Sequence, residues 1–334
     1  VRLRRLAATL DDRGHEVRIY CLPWWEASGR RIDIDGLEHE GVTFEHPALY
    51  YSRLPGLLLR YGPDLVVASA DPPGAVLSAW LGARLARVPL FVDWYGDEPD
   101  LAESGWVGSA SSLPTRVVTP SEHQRTRVRE YGASEATTTV VPDGIDFPTI
   151  TATDPGERVD VAFAARLDDD SNLEDLLLAL AELREAGEWT ATVVGDGPER
   201  DAAVETAAEL RIDDRVSFLG SLPPDEFVPI LKGAHVFAQT ATVEPFAREL
   251  LWALACGCVG IVEYQAASSA HELVENCERG ARVTNPQELA REVVAAARHD
   301  RAPVNEAFAA YDHSHVLDTY ERVYEDERDG YGFF

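Results

Sequence analysis

The chain alternates short apolar runs with longer stretches whose apolar residues recur at helical spacing. In the first half the runs EVRIYCL, GVTFEH, DLVVAS, PLFVDW, RVVTP and TTVVP each read as a strand, with a helix or loop between successive members. Short apolar runs bounded by turn residues suit strands covered on both faces. Their alternation with helical patterns predicts an α/β fold with a parallel sheet between two helical layers. The pattern pauses over 143–156, where DGIDFPTITATDPG is rich in Asp, Pro, Thr and Gly, and an interdomain linker is expected there. It resumes with VDVAFAA, a helix from about Asn172 to Glu185, TATVVG, a helix from about Glu199 to Leu210, VSFLG, a helix from about Pro224, and HVFAQ. The expectation is two doubly wound Rossmann-like domains, residues 1–147 and 148–312. A last helix over 313–334 either crosses back onto the first domain or packs on its own. Val1 leads directly into an amphipathic helix and the strand Glu16 to Leu22, so a first strand and its loop are expected to be missing.

Composition narrows the class. A length of 334 residues favours two domains. Acidic residues number 58 against 30 basic, the formal net charge is -28, and Lys232 is the single lysine. This balance suits strong brine. Salt near 1 M shortens the Debye length to about 3 Å, whereas in dilute buffer the same charges repel one another. It argues against a general nucleic-acid-binding face. Cys21, Cys256, Cys258 and Cys277 lack the paired spacing of a zinc site and read as small buried hydrophobes in a reducing compartment. No apolar run approaches the ~18 to 20 residues that span a bilayer, and no signal peptide is visible. The expected location is cytoplasmic, peripheral at the inner face of the membrane at most. Asp33-Ile34-Asp35 mimics a metal-binding pair but lies in a polar segment, and no metal site is expected.

Candidate chemistry concentrates in the second half. EPFARELLWALACG, from Glu244 to Gly257, places one carboxylate at a loop-to-helix junction. Backbone amides near Phe246 and Ala247 are expected to face outward there and to receive a phosphate. VVGDGP sets Gly195 and Gly197 at a strand-loop-helix junction, which reads as a close approach to a ligand or as a tight turn.

The Glu244 segment resembles the signature of the retaining family 4 glycosyltransferases, the glycosyl transferases group 1, in which Glu-x-Phe-Gly opens the motif. A second Glu follows eight positions after the first in that signature, and Ala-x-Ala-Cys-Gly closes it. VVTPSEHQRTRVREYGA and VVPDGID also resemble the family's strand, Ser and helix and its Val-x-Pro-x-Gly-x-Asp. The resemblance implies the metal-independent GT-B architecture, two Rossmann-like domains facing a cleft. It further implies a nucleotide diphosphate sugar as co-substrate with no cofactor, and a glycan, lipid-linked or small-molecule acceptor.

Carried over position by position, the resemblance makes Arg166 a diphosphate ligand and Glu244 the residue that orients the donor sugar. A structural salt bridge and a helix cap are the alternative readings of the two. Phe218 and Leu219 become walls of the base site, or core residues. Ser268 and Ser269 sit at an expected helix N-cap near the phosphates. Three positions depart from the family: Ser171 and Asn172 replace Lys-Gly, Trp252 replaces the second Glu, and Tyr95 replaces a His. Asp93 and Asp97 flank Tyr95 as acceptor-side carboxylates or as surface acids. These departures keep a second reading open, a catalytically silent GT-B scaffold that binds a glycan or a partner. A third, a nicotinamide-dependent oxidoreductase, requires a further glycine where Arg200 stands.

Overall fold

Most of the apolar runs form two parallel sheets, of four and six strands, each wrapped by its own helices, while EVRIYCL joins a separate three-stranded sheet. The computed structural model describes residues 2–25, 29–34, 36–43, 47–96, 105–185 and 187–331. The chain divides into unit 1, Val1–Pro142 with Ser314–Phe334, and unit 2, Asp143–His313.

Unit 1 runs α1 (Arg2–Asp12), β1 (Arg18–Cys21), β2 (Arg31–Ile34), β3 (Leu37–Gly41), α2 (Pro47–Tyr61), β4 (Val66–Ser69), α3 (Pro73–Ala86), β5 (Leu90–Asp93), α4 (Val107–Ser112), β6 (Arg116–Thr119), α5 (Glu122–Glu130) and β7 (Thr138–Val140). Strands β4 to β7 pair in that order, all parallel. Alternate residues point to opposite faces of a strand, and here both faces are dry. On one face Val66, Leu90, Val92 and Val117 meet Leu54 and Leu58 of α2 and Val76, Ala79 and Ala83 of α3. On the other face Phe91 and Val118 meet Leu6 and Leu10 of α1, together with Leu317, Tyr320 and Tyr324 of the C-terminal helix His313–Tyr331.

Of the expected strand GVTFEH, Gly41 ends a strand, Val42 and Thr43 follow it outside any strand, and 44–46 lie outside the described residues. The strand lies upstream as LEHEG, where Leu37, His39 and Gly41 are buried in alternation, and it pairs parallel with β1 and antiparallel with β2. The β2–β3 turn explains the shift: Gly36 adopts φ +84 and donates its amide to Asp33 Oδ1 at 3.0 Å. Asp-Gly is a strong hairpin signal, and here it also accounts for Asp33 of the metal-like pair. Asp35 lies outside the described residues.

Unit 2 runs α6 (Phe147–Ala152), β8 (Val159–Ala164), α7 (Leu173–Glu182), β9 (Ala191–Val194), α8 (Arg200–Glu209), β10 (Val216–Phe218), α9 (Pro224–Gly233), β11 (Ala234–Gln239), β12 (Val243–Glu244), α10 (Arg248–Ala255), β13 (Val259–Glu263), β14 (Ala267–Ser268), α11 (His271–Val274), β15 (Gly280–Val283) and α12 (Pro286–Ala295). Its sheet is six-stranded and parallel in the order β10-β9-β8-β11-β13-β15. Val161, Phe163, Val193, Val236 and Ile261 face Leu176, Leu177 and Leu180 of α7 and Leu289 of α12.

The stretch expected as a linker, 143–156, opens at the border between the units and carries α6 in unit 2. Asp146 caps α6, its Oδ1 accepting the Thr149 amide at 2.8 Å, and Ile145 and Ile150 are fully buried. Buried Lys232 closes the other end, donating from Nζ to Ile150 O at 2.6 Å and to Thr153 O. The turn-like composition there reflects capping chemistry rather than free chain. Among the described residues no helix is long and apolar enough to cross a membrane.

Candidate functional site

Ligands of open parallel sheets bind beyond the carboxyl ends of the strands, which in unit 2 are the loops after β8, β9 and β11. The loops after β8 and β9 are laced together. Ala165 N donates to Val194 O at 3.2 Å, Leu167 N to Asp196 O at 3.1 Å, and Glu199 N to Leu167 O at 3.0 Å. Gly195 and Gly197 make this contact possible. A Cβ on Gly195, whose φ is +133, would lie 1.8 Å from Ala165 O, and one on Gly197 would lie 2.1 Å from Leu167 O. Only glycine fits such an approach.

Arg166 stands at the tip of the laced pair. Its side chain is 76% exposed, and Nε lies 3.1 Å from Asp168 Oδ2. An exposed pair of this kind is worth about 0–1 kcal/mol, so an incoming anion displaces it at little cost. Downstream, Ser171 is buried and its hydroxyl donates to Asp168 O at 2.7 Å. Asn172 adopts φ 47, ψ 41, the left-handed region that Asn tolerates better than most residues, and Nδ2 donates to Asp175 Oδ2 and Thr240 O. The loop thereby keeps the conformation that a glycine would supply, while the position before it offers no cation.

The Glu244 segment adjoins this loop. Thr242 N donates to Asp170 O at 2.8 Å, and Thr240 Oγ1 to Ser171 O at 3.0 Å. Two residues past Thr242, half-buried Glu244 sits in the short parallel ladder β12–β14, opposite Ser268. Ser269 N donates to Glu244 O at 2.8 Å, and Ser269 Oγ to Pro245 O at 2.8 Å. The serines therefore do not cap a helix. Ala270 occupies the N-cap of α11; Ser268 lies in the ladder and Ser269 follows it, both buried. Phe246 and Ala247 are also buried, and α10 opens at Arg248 with no side-chain cap from Ala247.

Of the two base-wall candidates, Phe218 packs partly against the unit 2 core, whereas Leu219 is 45% exposed and its amide donates to Val193 O at 3.0 Å. Trp252 is half-buried on α10. Two charged residues at this end of the sheet went unremarked in the sequence. Arg248, first on α10, places Nη2 2.9 Å from Glu249 Oε1. Glu263, buried at the end of β13, has its pKa pushed up to about 7 by burial first and then by the nearby Asp175 carboxylate. The signal available for Arg248 was its place at the start of a helix. Glu263 had none beyond a lone acid ending an apolar strand.

The acceptor-side candidates gather in unit 1. Asp93, buried at the end of β5, lies 3.1 Å from Arg2 Nε and accepts from the Tyr320 hydroxyl at 3.2 Å. Tyr95 lies under the same guanidinium, with 5.6 Å from Arg2 Cζ to the ring centroid. Asp97 falls outside the described residues.

A doubly wound sheet with glycine-locked loops, an exposed arginine and a ladder-held glutamate at its carboxyl end belongs to the nucleotide-binding α/β proteins. More specifically, residues 152–311 match the family described as glycosyl transferases group 1, residues 1–144 match the glycosyl transferase 4-like domain, and the chain belongs to that GT-B family. It is 31% identical over 179 residues to the D-inositol 3-phosphate glycosyltransferase of Nocardia farcinica, covering 48% of this chain and 40% of that protein. It is 28% identical over 291 residues to the alpha-monoglucosyldiacylglycerol synthase of Streptococcus pneumoniae, covering 76% and 65%. The match thus spans less than two thirds of either relative's length. The fold is similar to that of Anabaena HepE crystallised with UDP, with a TM-score of 0.71, 21% identity, and 87% and 86% of the two chains covered.

Proposed function

We propose that this protein transfers a sugar from a nucleotide diphosphate donor to a glycan, lipid-linked or small-molecule acceptor with retention of the anomeric configuration. The observation that carries the reading is the linkage of the exposed Arg166 loop to the Glu244 segment through Thr242 and Asp170. That linkage puts an exposed guanidinium and a carboxylate on adjoining loops of one sheet end, which supports their reading as the diphosphate ligand and the sugar-orienting group. Arg166 grips the diphosphate and stabilises charge on the leaving group, Leu219 lies against the base, and Glu244 orients the sugar hydroxyls. The anomeric carbon–oxygen bond to phosphate breaks, a bond to the acceptor oxygen forms, and the acceptor proton passes to the departing phosphate. The UDP complex of the HepE neighbour supports a uridine nucleotide as the donor's leaving group.

Calorimetric titration with UDP, ADP and GDP in molar potassium chloride tests the reading. Base-selective binding is expected, with Arg166→Ala raising Kd about tenfold or more, the worth of one charge-assisted hydrogen bond or better. Absence of binding by a folded sample would overturn the donor site and leave the silent scaffold.

A further inference from the structure

Acidic residues are missing from one part of this acid-rich chain. Residues 47 to 92 hold two, Asp64 and Asp71, where the chain's average of 58 in 334 would place about eight. Neither lies in α2 or α3. The two helices lie side by side, with Ser78 Oγ donating to Tyr51 O at 2.7 Å, and both cover the same core of unit 1 through Leu54, Leu58, Val76, Ala79 and Ala83. Their remaining surfaces therefore look outward together. Exposed on them are Leu59 at 51%, Leu81 at 45% and Leu85 at 53%, interleaved with exposed Arg60 and Arg84 and followed by Arg87. Half-buried Trp80 lies beneath Arg84, 5.6 Å from ring centroid to Cζ. Among the described residues none of these three arginines forms an ion pair.

We propose that the outer face of α2 and α3 docks this protein on an anionic lipid surface. A chain of net charge -28 is repelled by such a surface everywhere except where its acids are absent. The acid-free face is also where arginines meet projecting leucines, and that combination suits a headgroup boundary: guanidinium groups meet the phosphates, leucines enter the acyl edge, and tryptophan sits at the interface. Two other occupants fit less well. A two-fold pairing of the face with a second copy would set these arginines against their own counterparts. An acidic protein would match the arginines but offer the leucines nothing apolar. The proposal does not depend on the donor site of unit 2.

Co-sedimentation of the full chain with vesicles of phosphatidylglycerol, against vesicles of phosphatidylcholine alone, tests it in 0.2 M and 2 M potassium chloride. Preferential binding to phosphatidylglycerol is expected at 0.2 M. Each of Arg60→Gln, Arg84→Gln and Arg87→Gln should lower it about fivefold at 0.2 M and by less at 2 M, where the longer-range attraction is screened and direct contacts with phosphate remain. Leu81→Ser with Leu85→Ser should lower it at least tenfold in both salts. Circular dichroism and UDP titration of each variant establish that unit 2 and the overall fold are unchanged, and the surface arginine variants remain informative if the leucine pair perturbs folding. Equal binding to both vesicle types, no binding by the folded wild type, or wild-type binding by all the variants would overturn the proposal. So would light scattering that shows a dimer abolished by the leucine substitutions, which would give the face to a second copy. A protein that binds vesicles but no nucleotide would refute the donor site and leave the docking face standing.

Discussion

Arg2→Ala should destabilise unit 1 far more than the loss of one terminal side chain suggests. Arg2 Nε lies 3.1 Å from Asp93 Oδ1, with side-chain exposures of 10% and 4%, and Nη2 donates to Val141 O at 2.7 Å. The Tyr320 hydroxyl donates to the same carboxylate. One guanidinium thus ties α1 to the ends of β5 and β7 beside the C-terminal helix. Its removal takes a charged partner from a buried carboxylate, a loss of about 3–5 kcal/mol. For a unit of this size that is about 6–20 °C in Tm. Urea unfolding in molar potassium chloride, followed by tryptophan fluorescence, measures it without altering ionic strength. The high salt is part of the argument, because it screens exposed pairs and leaves a buried one nearly intact. The double variant Arg2→Met with Asp93→Leu should recover most of the loss, since it removes both charges together. A cost below about 1 kcal/mol for Arg2→Ala, the range of an exposed pair, would refute the reasoning. So would a double variant that loses the sum of the two singles.

Gly195→Ala should cost unit 2 about 3 kcal/mol or more, because its Cβ would meet the Ala165 carbonyl at 1.8 Å. Gly220→Ala, at φ +74 with open space around it, should cost only about 1 kcal/mol, and equal losses in urea melts would count against the interlocked loops. Lys232→Ala leaves the carbonyls of Ile150 and Thr153 without their donor and should cost about 2–3 kcal/mol, which the same melts would read. The pKa of Glu263 is raised in the folded state, so its contribution to stability is present below the ordinary carboxylate range and is lost as pH rises through about 7. Glu263→Gln should therefore flatten the fall in urea midpoint between pH 5 and pH 8, and an unchanged slope would place the titration elsewhere.

The fold of unit 2 was legible because its strands are buried on both faces and read as unbroken apolar runs, VDVAFA and VGIVE among them. The same logic misplaced β3, since LEHEG buries a histidine and a glycine where an apolar alternation would be expected, and GVTFEH looked the better strand. Residues 143–156 looked like a linker because capping and turn residues share a composition. The sequence does not show that Asp146 meets the Thr149 amide or that distant Lys232 closes the helix. The site divides in the same way. Arg166, Gly195, Gly197 and Glu244 became candidates through local motifs and the family resemblance those motifs carry. The partners of Ser269, the burial of Glu263 and the ion pair of Asp93 depend on contacts between distant segments, which no local pattern encodes.

The departures around Arg166 have a common electrostatic logic. Ser171 keeps its hydroxyl inward and Asn172 takes the left-handed turn, so the loop retains its course while the family's lysine charge is gone. Asp168 lies 3.1 Å from the remaining guanidinium, and Asp169 and Asp170 follow it in the same loop. At about 0.1 M salt the Debye length is about 10 Å, and nearby carboxylates would oppose a diphosphate held at Arg166 in the role proposed for it. At about 1 M it falls to about 3 Å, and only groups in contact with the phosphate act on it. One arginine able to bind two phosphate oxygens keeps its short-range hydrogen bonds under those conditions, whereas a lysine acting at a distance as a point charge loses most of its pull. An acid-rich loop with a single contacting guanidinium is thus a workable anion site in concentrated salt. That links the lysine missing at Ser171 to the near absence of lysine from the whole chain.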